Sequence, residues 1–504
     1  MRKWLPLIAI SLGTFMLLVD VTIVNVALPD IAADLRTGMG DLQWVIDVYA
    51  LALAALLLGA GSAADRFGRK KVYLIGMVLF ALASIGCALA DSSAALIAAR
   101  GLQGIGGAAM LATTIALINT AYVGKDRGVA FGIWGAINGA AAAAGPILGG
   151  LLTEHYGWPA IFVVNVPISV LTLVLSVRVI RESADPSARI DPVGVVTFTL
   201  AASAVTYGLI RAGEDGWTEP APLIGFAVGA VALAAFVTVE RVRAYPMLDL
   251  ALFKRPLFTG LMIAAAATSL GAFSAMAFTS LWLQSVLGLG PIAAGAVFLP
   301  LSLASLVCSV VAGRVLHDRV APGLVISAGL ALIGLGSALQ ALVGSASSWA
   351  VLIPGLLVVG VGVGTVMPTL SAAALAAAPR ERAGMAGGAV TTFRQLGLVL
   401  GIAVLGGVFA GRVETVVRSE SSLPDAHQVA ELLTGGQARV VTSSAPDAQR
   451  GAVDEVVHTA FASGLRWAFL VCAAIALIGA ALTFFLTRPR RSVAAPDQVP
   501  AQIG

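Results

Sequence analysis

The feature that most limits how this chain can fold is a series of long apolar segments along almost its whole length. A helix needs about 20 apolar residues to cross the hydrocarbon core of a bilayer. Backbone N–H and C=O groups find no partner in lipid, so each segment must satisfy them internally, as a helix does. The sequence therefore predicts an all-α polytopic membrane protein with fourteen transmembrane helices. The segments fall near residues 4–29, 42–64, 72–90, 94–118, 128–153, 158–180, 193–211, 221–239, 257–284, 291–313, 321–343, 349–371, 384–411 and 461–487.

The low charge content also indicates that lipid surrounds most of the chain. Only 12% of the residues are charged and 58% are hydrophobic, whereas a soluble globular chain carries roughly 25% charged residues. Such a chain has too little polar surface to face water. This excludes a water-soluble enzyme, a disordered protein and a protein that binds nucleic acid. The three cysteines lie inside apolar segments, which favours core packing over a disulfide or a metal site; they are Cys87, Cys308 and Cys472.

The distribution of basic residues predicts the orientation of the chain in the membrane. Basic residues concentrate on the cytoplasmic side of membrane proteins. If the N-terminus is inside and every segment crosses, most of the 31 Lys and Arg residues fall in inner loops, as in the cluster at residues 66–71. A missed or extra helix would invert every downstream loop and spoil this pattern. Both termini are therefore expected in the cytoplasm.

Two of the inner loops resemble each other, which predicts an internal repeat. The loop after the second segment contains Gly61 and then Asp65-Arg66, and the loop after the tenth contains a glycine and then Asp318-Arg319. A sequence pattern that recurs at equivalent positions is typical of two helix bundles arranged as a parallel repeat. We expect two six-helix bundles in a pseudo-twofold relation, with an inserted two-helix hairpin between them. The expected divisions are an N-terminal bundle at 1–180, a linker with the two extra helices at 181–256, a C-terminal bundle at 257–487 with a long extracellular loop at 412–460, and a cytoplasmic tail at 488–504.

Four charged residues lie well inside the apolar segments, namely Asp20, Asp47, Arg100 and Arg394. Charge inside a membrane is costly, so each is a candidate functional residue. At 1.5 Å per helical residue, the first three lie roughly 13, 8 and 9 Å below the outer boundary, so they can pair and share protons. The alternatives are a buried ion pair that only fixes packing, a solvated Asp47 at the outer mouth, and a packing rather than substrate-facing role for Arg394.

The loop after the second segment has the composition of a cytoplasmic latch. Gly61 and Gly68 allow a tight turn between two helices. Asp65 can accept from Arg69 and from the N-terminus of a neighbouring helix, where the helix dipole favours an anion. The plainer interpretation, a positively charged anchor on the cytoplasmic side, explains Arg69, Lys70 and Lys71 but not Asp65 or the glycine spacing.

The fifth segment is rich in small residues. Two pairs of glycines spaced four apart allow close approach of neighbouring helices, and Pro146 removes a helical hydrogen bond and permits a kink. The alternative is a plain helix-packing face. The glycines concerned are Gly135, Gly139, Gly145, Gly149 and Gly150.

No pattern in the sequence indicates catalysis or a bound cofactor. There is no GxxxxGK[ST] phosphate loop, no HExxH and no GxSxG, and none of the four histidines lies deep in a segment. A proton relay would therefore have to use Asp20 or Asp47, with burial and Arg100 setting the affinity for the proton. We predict neither catalytic activity nor a cofactor or metal ion.

These residues together resemble the fourteen-helix drug:proton antiporters of the major facilitator superfamily. The resemblance covers nearly the whole chain except residues 412–460. It implies that Asp20 and Arg100 couple protons, that Asp65 and Arg69 form the cytoplasmic latch, and that the fifth helix is the flexible helix of antiporters. The similar motifs are Asp20 to Pro29 in the first helix, Gly61 to Lys71 in the signature loop, Arg100-Gly-Leu-Gln103-Gly104-x-Gly106 in the fourth helix and Gly145-Pro146-x-x-Gly149-Gly150 in the fifth.

The expected function is export of amphipathic drugs or antibiotics from the cytoplasm by alternating access, driven by a proton gradient across a bacterial cytoplasmic membrane. The expected partners are a small-molecule substrate, protons and the lipid bilayer, and the chain is expected to be monomeric. A dedicated exporter of one endogenous metabolite or self-made antibiotic is the main alternative, followed by an uptake symporter and by a membrane-embedded enzyme or receptor. Substrate-cavity candidates, chosen from their places within helices, are Asn25, Gln103, Asn138, Asn165, Arg394 and Gln395.

Overall fold

In the computed structural model, the described residues form helices joined by loops and contain no β-strand. These are residues 2–123, 125–184, 191–214, 216–243, 246–312, 320–377, 383–419, 426–446 and 449–488. The helices are α1 Leu5–Leu35, α2 Met39–Phe67, α3 Arg69–Ala88, α4 Ser93–Ala121, α5 Lys125–Tyr156, α6 Ala160–Val163, α7 Asn165–Val179, α8 Pro192–Glu214, α9 Pro220–Val242, α10 Pro256–Phe273, α11 Met276–Leu281, α12 Pro291–Val297, α13 Leu299–Val311, α14 Pro322–Gln340, α15 Ile353–Ala377, α16 Ala383–Ser419, α17 Ala426–Thr434, α18 Ala438–Ser444 and α19 Arg450–Thr487.

The all-α membrane fold predicted from the sequence is confirmed. Among the described residues, thirteen helical spans are long and apolar enough to cross a membrane, and each coincides with a predicted segment. The remaining predicted segment, 128–153, lies within α5. The pseudo-twofold arrangement of fourteen helices and its domain limits remain predictions. "N-terminal half" below means residues 1–180 and "C-terminal half" means residues 257–487.

Several predicted segments are interrupted in the structure. The ninth consists of α10, α11 and one π-helical turn at Trp282–Val286. The tenth breaks between α12 and α13 at Phe298, two residues before Pro300. Proline lacks the N–H that would continue the helical hydrogen bonds, which accounts for this second break. Hydropathy does not distinguish a broken helix from a straight one, so the sequence did not reveal these interruptions.

The inserted hairpin contacts both halves of the molecule. Helices α8 and α9 pack against each other, and α8 also packs on α2 and α16. At Gly213 and Gly407 the backbones of α8 and α16 come close enough that a Cβ on Gly213 would lie 2.8 Å from Gly407 Cα. The hairpin is therefore packed into the body of the protein rather than attached only through its loops.

The two halves meet at the ends of their helices that the charge distribution predicts to lie outside. Gln284, in the π-helical turn, donates from Nε2 to the carbonyl of Val26 in α1 at 2.7 Å. The segment that joins α17 and α18 lies over this contact, because a Cβ on Gly436 would stand 3.0 Å from Leu281 and 4.0 Å from Pro29. Part of the predicted extracellular loop thus covers the junction between the halves.

Candidate functional site

Asp20 is the centre of a buried polar cluster in the N-terminal half. Its side chain is fully buried in α1. Oδ2 accepts a hydrogen bond from Nη1 of Arg100 at 2.6 Å. Oδ1 accepts one from Gln103 Nε2 at 3.0 Å and one from Asn165 Nδ2 at 2.8 Å. Both carboxylate oxygens are therefore paired, as a buried charge requires.

Helix α4 presents Arg100 and Gln103 on one face because they are three residues apart. Arg100 Nη1 also donates to Gln103 Oε1 at 2.7 Å, and Arg100 Nε donates to the Val45 carbonyl at 3.0 Å. Gln103 Nε2 in turn lies 2.8 Å from Ser84 Oγ. Residues from four helices thus hold the guanidinium and the carboxylate in one orientation.

Two aromatic rings complete the surroundings of Arg100. The ring of Tyr49 lies 4.2 Å from the guanidinium carbon, and that of Phe162 lies 5.8 Å from it. Such cation–π contacts stabilise a desolvated cation. Sequence reasoning missed Tyr49, Phe162 and Ser84. For Tyr49, the one sequence signal of a place near the charged residues was its position two residues after Asp47 on an apolar helix.

Asp47 does not join this cluster, although the sequence predicted a group of two carboxylates and one guanidinium. Its side chain is fully buried in α2, and neither carboxylate oxygen has a hydrogen-bond partner. It is also not solvated at an outer mouth, as the alternative interpretation proposed. The structure therefore brings together Asp20 and Arg100 and leaves Asp47 as a separate buried carboxyl group.

The glycines of α5 lie where this helix contacts α1 on one side and α12 on the other. A Cβ on Gly145 would collide with the Thr22 side chain, and one on Gly149 would stand 2.8 Å from the Ile23 carbonyl. A Cβ on Gly150 would meet the backbone of α12, 2.6 Å from Ile292 Cα. The carbonyl of Pro146 lies against Gly295 of the same helix. The side-chain surroundings of Gly135, Asn138 and Gly139 lie outside the described residues.

The signature loop is tied to the end of the sixth predicted segment. Arg69 Nε bonds to Asp65 Oδ1 at 2.8 Å, and Gly68 adopts a φ of 113° that favours glycine. The Glu182 carboxylate accepts from the backbone N–H of Lys70 and of Lys71 at 3.0 and 3.1 Å. Glu182, which sequence reasoning missed, caps the N-terminus of α3, where an anion is favoured.

The predicted latch between the two halves is not visible in these contacts. Arg66 is exposed and Gly61 has open space beside it. The equivalent loop of the C-terminal half, residues 313–319, lies outside the described residues. The hydrogen bonds that Arg69, Lys70 and Lys71 make outside the signature loop go to residues 177–183.

The other substrate-cavity candidates are scattered. Asn25 is buried and its amide donates to carbonyls of its own helix, those of Val21 and Thr22, at 3.4 Å. Arg394 and Gln395 are half-buried in α16. The Arg394 Nε atom is buried and has no hydrogen-bond partner. None of these three residues contacts Asp20 through a hydrogen bond or ion pair.

Multiple membrane-spanning helices, a buried ion pair and glycine-mediated contacts between two halves together define a membrane transporter. The chain belongs to the Major Facilitator Superfamily, whose family model matches residues 10–402. This membership places it among transporters rather than enzymes and among multi-pass membrane proteins.

Three similar proteins illustrate the relationship. The multidrug resistance protein Stp of Mycobacterium tuberculosis is 36% identical over 93% of this chain and 89% of its own length. The tetracenomycin C resistance and export protein of Streptomyces glaucescens is 34% identical over 99% of this chain and 94% of its own. The inward-facing crystal structure of a bacterial homologue of the human lysosomal transporter Spinster shares the fold, with a TM-score of 0.66, 17% identity, and coverage of 96% and 97% of the two chains.

Proposed function

We propose that the chain exports amphipathic drugs or antibiotics from the cytoplasm in exchange for protons, with Asp20 as the proton acceptor. One observation carries this proposal: a fully buried carboxylate is held by one cation and two amides contributed by two other helices. The names of the similar proteins support drugs or antibiotics as the substrate class. The driving force is the proton gradient, without a cofactor.

The geometry suggests how a proton would change the site. With Asp20 ionised, its bond to Arg100 Nη1 is charge-assisted, which is the strong kind of hydrogen bond. A proton on Asp20 removes the negative charge, so the attraction between Asp20 and Arg100 weakens. The hydrogen bonds from the two amide donors to Oδ1 weaken as well. Protonation therefore loosens α1 from α4 and α7.

The same helix makes the outer contact between the halves. Val26 lies six residues beyond Asp20, about 9 Å along the helix axis, and its carbonyl accepts from Gln284 of the C-terminal half. Between them, Thr22 and Ile23 face the glycines of α5. A shift of α1 on protonation would thus disturb the outer junction, which is the connection that alternating access needs.

The proposal also includes the orientation of the chain in the membrane and the residues that contact the substrate. Both termini lie in the cytoplasm, and the protein acts as a monomer. Gln103 and Asn165 are occupied by Asp20, so Asn25, Arg394 and Gln395 remain the better substrate contacts. The relative named for tetracenomycin C supports a second candidate, a dedicated exporter of one endogenous antibiotic.

The experiment is substrate export by reconstituted protein under an imposed pH gradient. We expect Asp20→Asn, which keeps the size and an acceptor oxygen, to lower the export rate by at least about tenfold. Substrate-induced proton release, followed with a pH-sensitive dye, should disappear at the same time. Asp34→Asn is the matched control, because Asp34 is an exposed carboxylate on the same helix.

An unchanged, gradient-dependent export rate in correctly folded Asp20→Asn protein would refute the role of Asp20. Export by the wild-type protein that ignores the pH gradient altogether would refute proton coupling. A panel of unrelated dyes and antibiotics then separates the two candidates, because a dedicated exporter should move one compound and leave the others.

A further inference from the structure

A buried pair of acidic groups lies at the end of the inserted hairpin opposite its turn, on the side that the charge distribution places in the cytoplasm. Asp191 stands immediately before α8, and Glu240 lies in the last turn of α9. Each side chain is only 4% exposed. Neither belongs to the Asp20 cluster or to any predicted site.

One oxygen of each carboxyl group has a backbone partner. Asp191 Oδ1 accepts from the N–H of Gly194 at 2.9 Å, which makes Asp191 the N-cap of α8. Glu240 Oε2 accepts from the N–H of Leu248 at 2.9 Å. The second oxygens, Asp191 Oδ2 and Glu240 Oε1, are buried and have no hydrogen-bond partner.

The two unpartnered oxygens converge on the same point beside Gly194. A Cβ placed on Gly194 would lie 2.5 Å from Glu240 Oε1 and 3.0 Å from Asp191 Oδ2. Any larger residue there would push the carboxyl groups apart. The glycine thus leaves room for the two acids to face each other.

We propose that Asp191 and Glu240 form a proton-binding site, in which Glu240 carries the proton and donates it from Oε1 to Asp191 Oδ2. Both free oxygens approach the same Cβ position of Gly194, so two buried negative charges there would repel each other, and one shared proton removes one charge and supplies a donor to the pair. The helix dipoles decide which group keeps it. Asp191 at the N-terminus of α8 is favoured as the anion, and Glu240 at the C-terminus of α9 is disfavoured as one.

The neighbouring charges support a proton rather than a metal ion. Among the described residues, Asp191 is a charged group that acts on Glu240. From the end of α9, Arg243 approaches Asp191 Oδ1 to 3.9 Å, with a half-exposed side chain. In the following segment, Asp249 caps the turn at Leu250–Lys254 by accepting from Ala251. Two free oxygens beside a guanidinium are a poor set of ligands for a metal ion, which needs about six oxygens in the case of Mg²⁺.

The proton would stabilise the joint through which the hairpin is attached to the C-terminal half. The bond from Leu248 to Glu240 ties the linker to α9, and the next residue, Asp249, donates its N–H to Met385 Sδ of α16 at 3.3 Å. Helix α8 also contacts α2 of the N-terminal half. Loss of the proton would place two like charges in this joint, so its stability should respond to cytoplasmic pH.

The test is infrared difference spectroscopy of the reconstituted, substrate-free protein between acidic and alkaline pH. We expect a carbonyl stretching band of one protonated carboxylic acid that Glu240→Gln removes. Asp191→Asn removes the neighbouring negative charge, so Glu240 should release its proton more easily and the band should titrate at lower pH than in the wild-type protein. Glu219→Gln, on the exposed outer end of the same helix, is the matched control and should leave the band unchanged.

A second readout is the unfolding temperature as a function of pH. A group that is protonated in the folded state loses its stabilising bond as the pH rises, so wild-type protein should lose stability relative to Glu240→Gln across the titration and match it at acidic pH. Parallel curves together with an unaltered band in Glu240→Gln would overturn the proposal. Stabilisation by Na⁺ or Mg²⁺ that Glu240→Gln abolishes would also overturn it, in favour of a metal site. Because no substrate is present, the result is independent of whether Asp20 couples transport to protons.

Discussion

The two halves of the molecule handle buried polarity in different ways. In the N-terminal half, Asp20 and Arg100 form an ion pair with further side-chain partners. In the C-terminal half, Ser274, Ser337 and Thr483 each donate to a backbone carbonyl of a neighbouring helix. Arg394, the cation that lies near the middle of a predicted segment of that half, leaves its Nε atom without a hydrogen-bond partner.

Close helix packing, by contrast, is shared. In the N-terminal half, a Cβ on Gly106 would lie 2.6 Å from the Gly76 carbonyl, and in the C-terminal half one on Gly336 would lie 2.7 Å from the Gly355 carbonyl. The halves therefore use one way of packing helices and two ways of treating charge. The difference suggests that proton chemistry belongs to the N-terminal half.

The largest expected effect separates the two buried arginines. Arg100→Ala strands a buried carboxylate, and we expect a loss of about 3–5 kcal/mol in stability. Arg394→Ala strands no ion-pair partner and should cost about 1 kcal/mol. Thermal unfolding in detergent, followed by tryptophan fluorescence, measures both. Equal losses in the two variants would contradict the proposed difference between the halves.

The second effect tests the feature that the halves share. Gly106→Ala and Gly336→Ala each force a methyl group against a backbone carbonyl, which should destabilise the protein by about 1–3 kcal/mol in either half. Gly86→Ala is the control, because its Cβ would stand at an ordinary 3.5 Å from the Ala99 Cβ. A marked loss of stability in only one of the two variants would show that the halves differ in helix packing as well as in buried charge.

The smallest effect concerns two buried serines. Ser84→Ala removes a hydrogen bond to Gln103 within the Asp20 cluster, and Ser337→Ala removes one to the Gly271 carbonyl. Each should cost about 1 kcal/mol in stability. Only Ser84→Ala should also alter the pH dependence of export, because only Ser84 touches the proton site. A change in that dependence for Ser337→Ala would argue against confining proton coupling to one half.

Much of this organisation could be predicted from the sequence. The apolar segments gave the helices, and depth along the helices correctly brought Asp20 to Arg100. The same argument failed for Asp47, because depth says nothing about the direction in which a side chain points around its helix. Gln103 and Asn165, chosen as cavity residues, instead bind Asp20.

Other contacts were beyond sequence reasoning because they join distant parts of the chain. Glu182 caps a helix that begins 113 positions earlier, which no local pattern reveals. Asp191 and Glu240 lie at the edges of apolar segments, where a charged residue is normally solvated. Tyr49 resembles any aromatic residue of a membrane helix until its ring is seen beside Arg100.

The Asp20–Arg100 pair has an electrical consequence. While Asp20 is ionised the pair is neutral, and a bound proton gives it a net charge of +1. Moving one elementary charge across the whole membrane is worth about 2.3 kcal/mol per 100 mV of potential. If the proton reaches Asp20 from outside and leaves inside, the membrane voltage performs work on this site in addition to the pH difference. The proposed exporter should therefore continue to export an uncharged drug in cells that hold a membrane potential but no pH gradient, because no exported positive charge then offsets the entering proton.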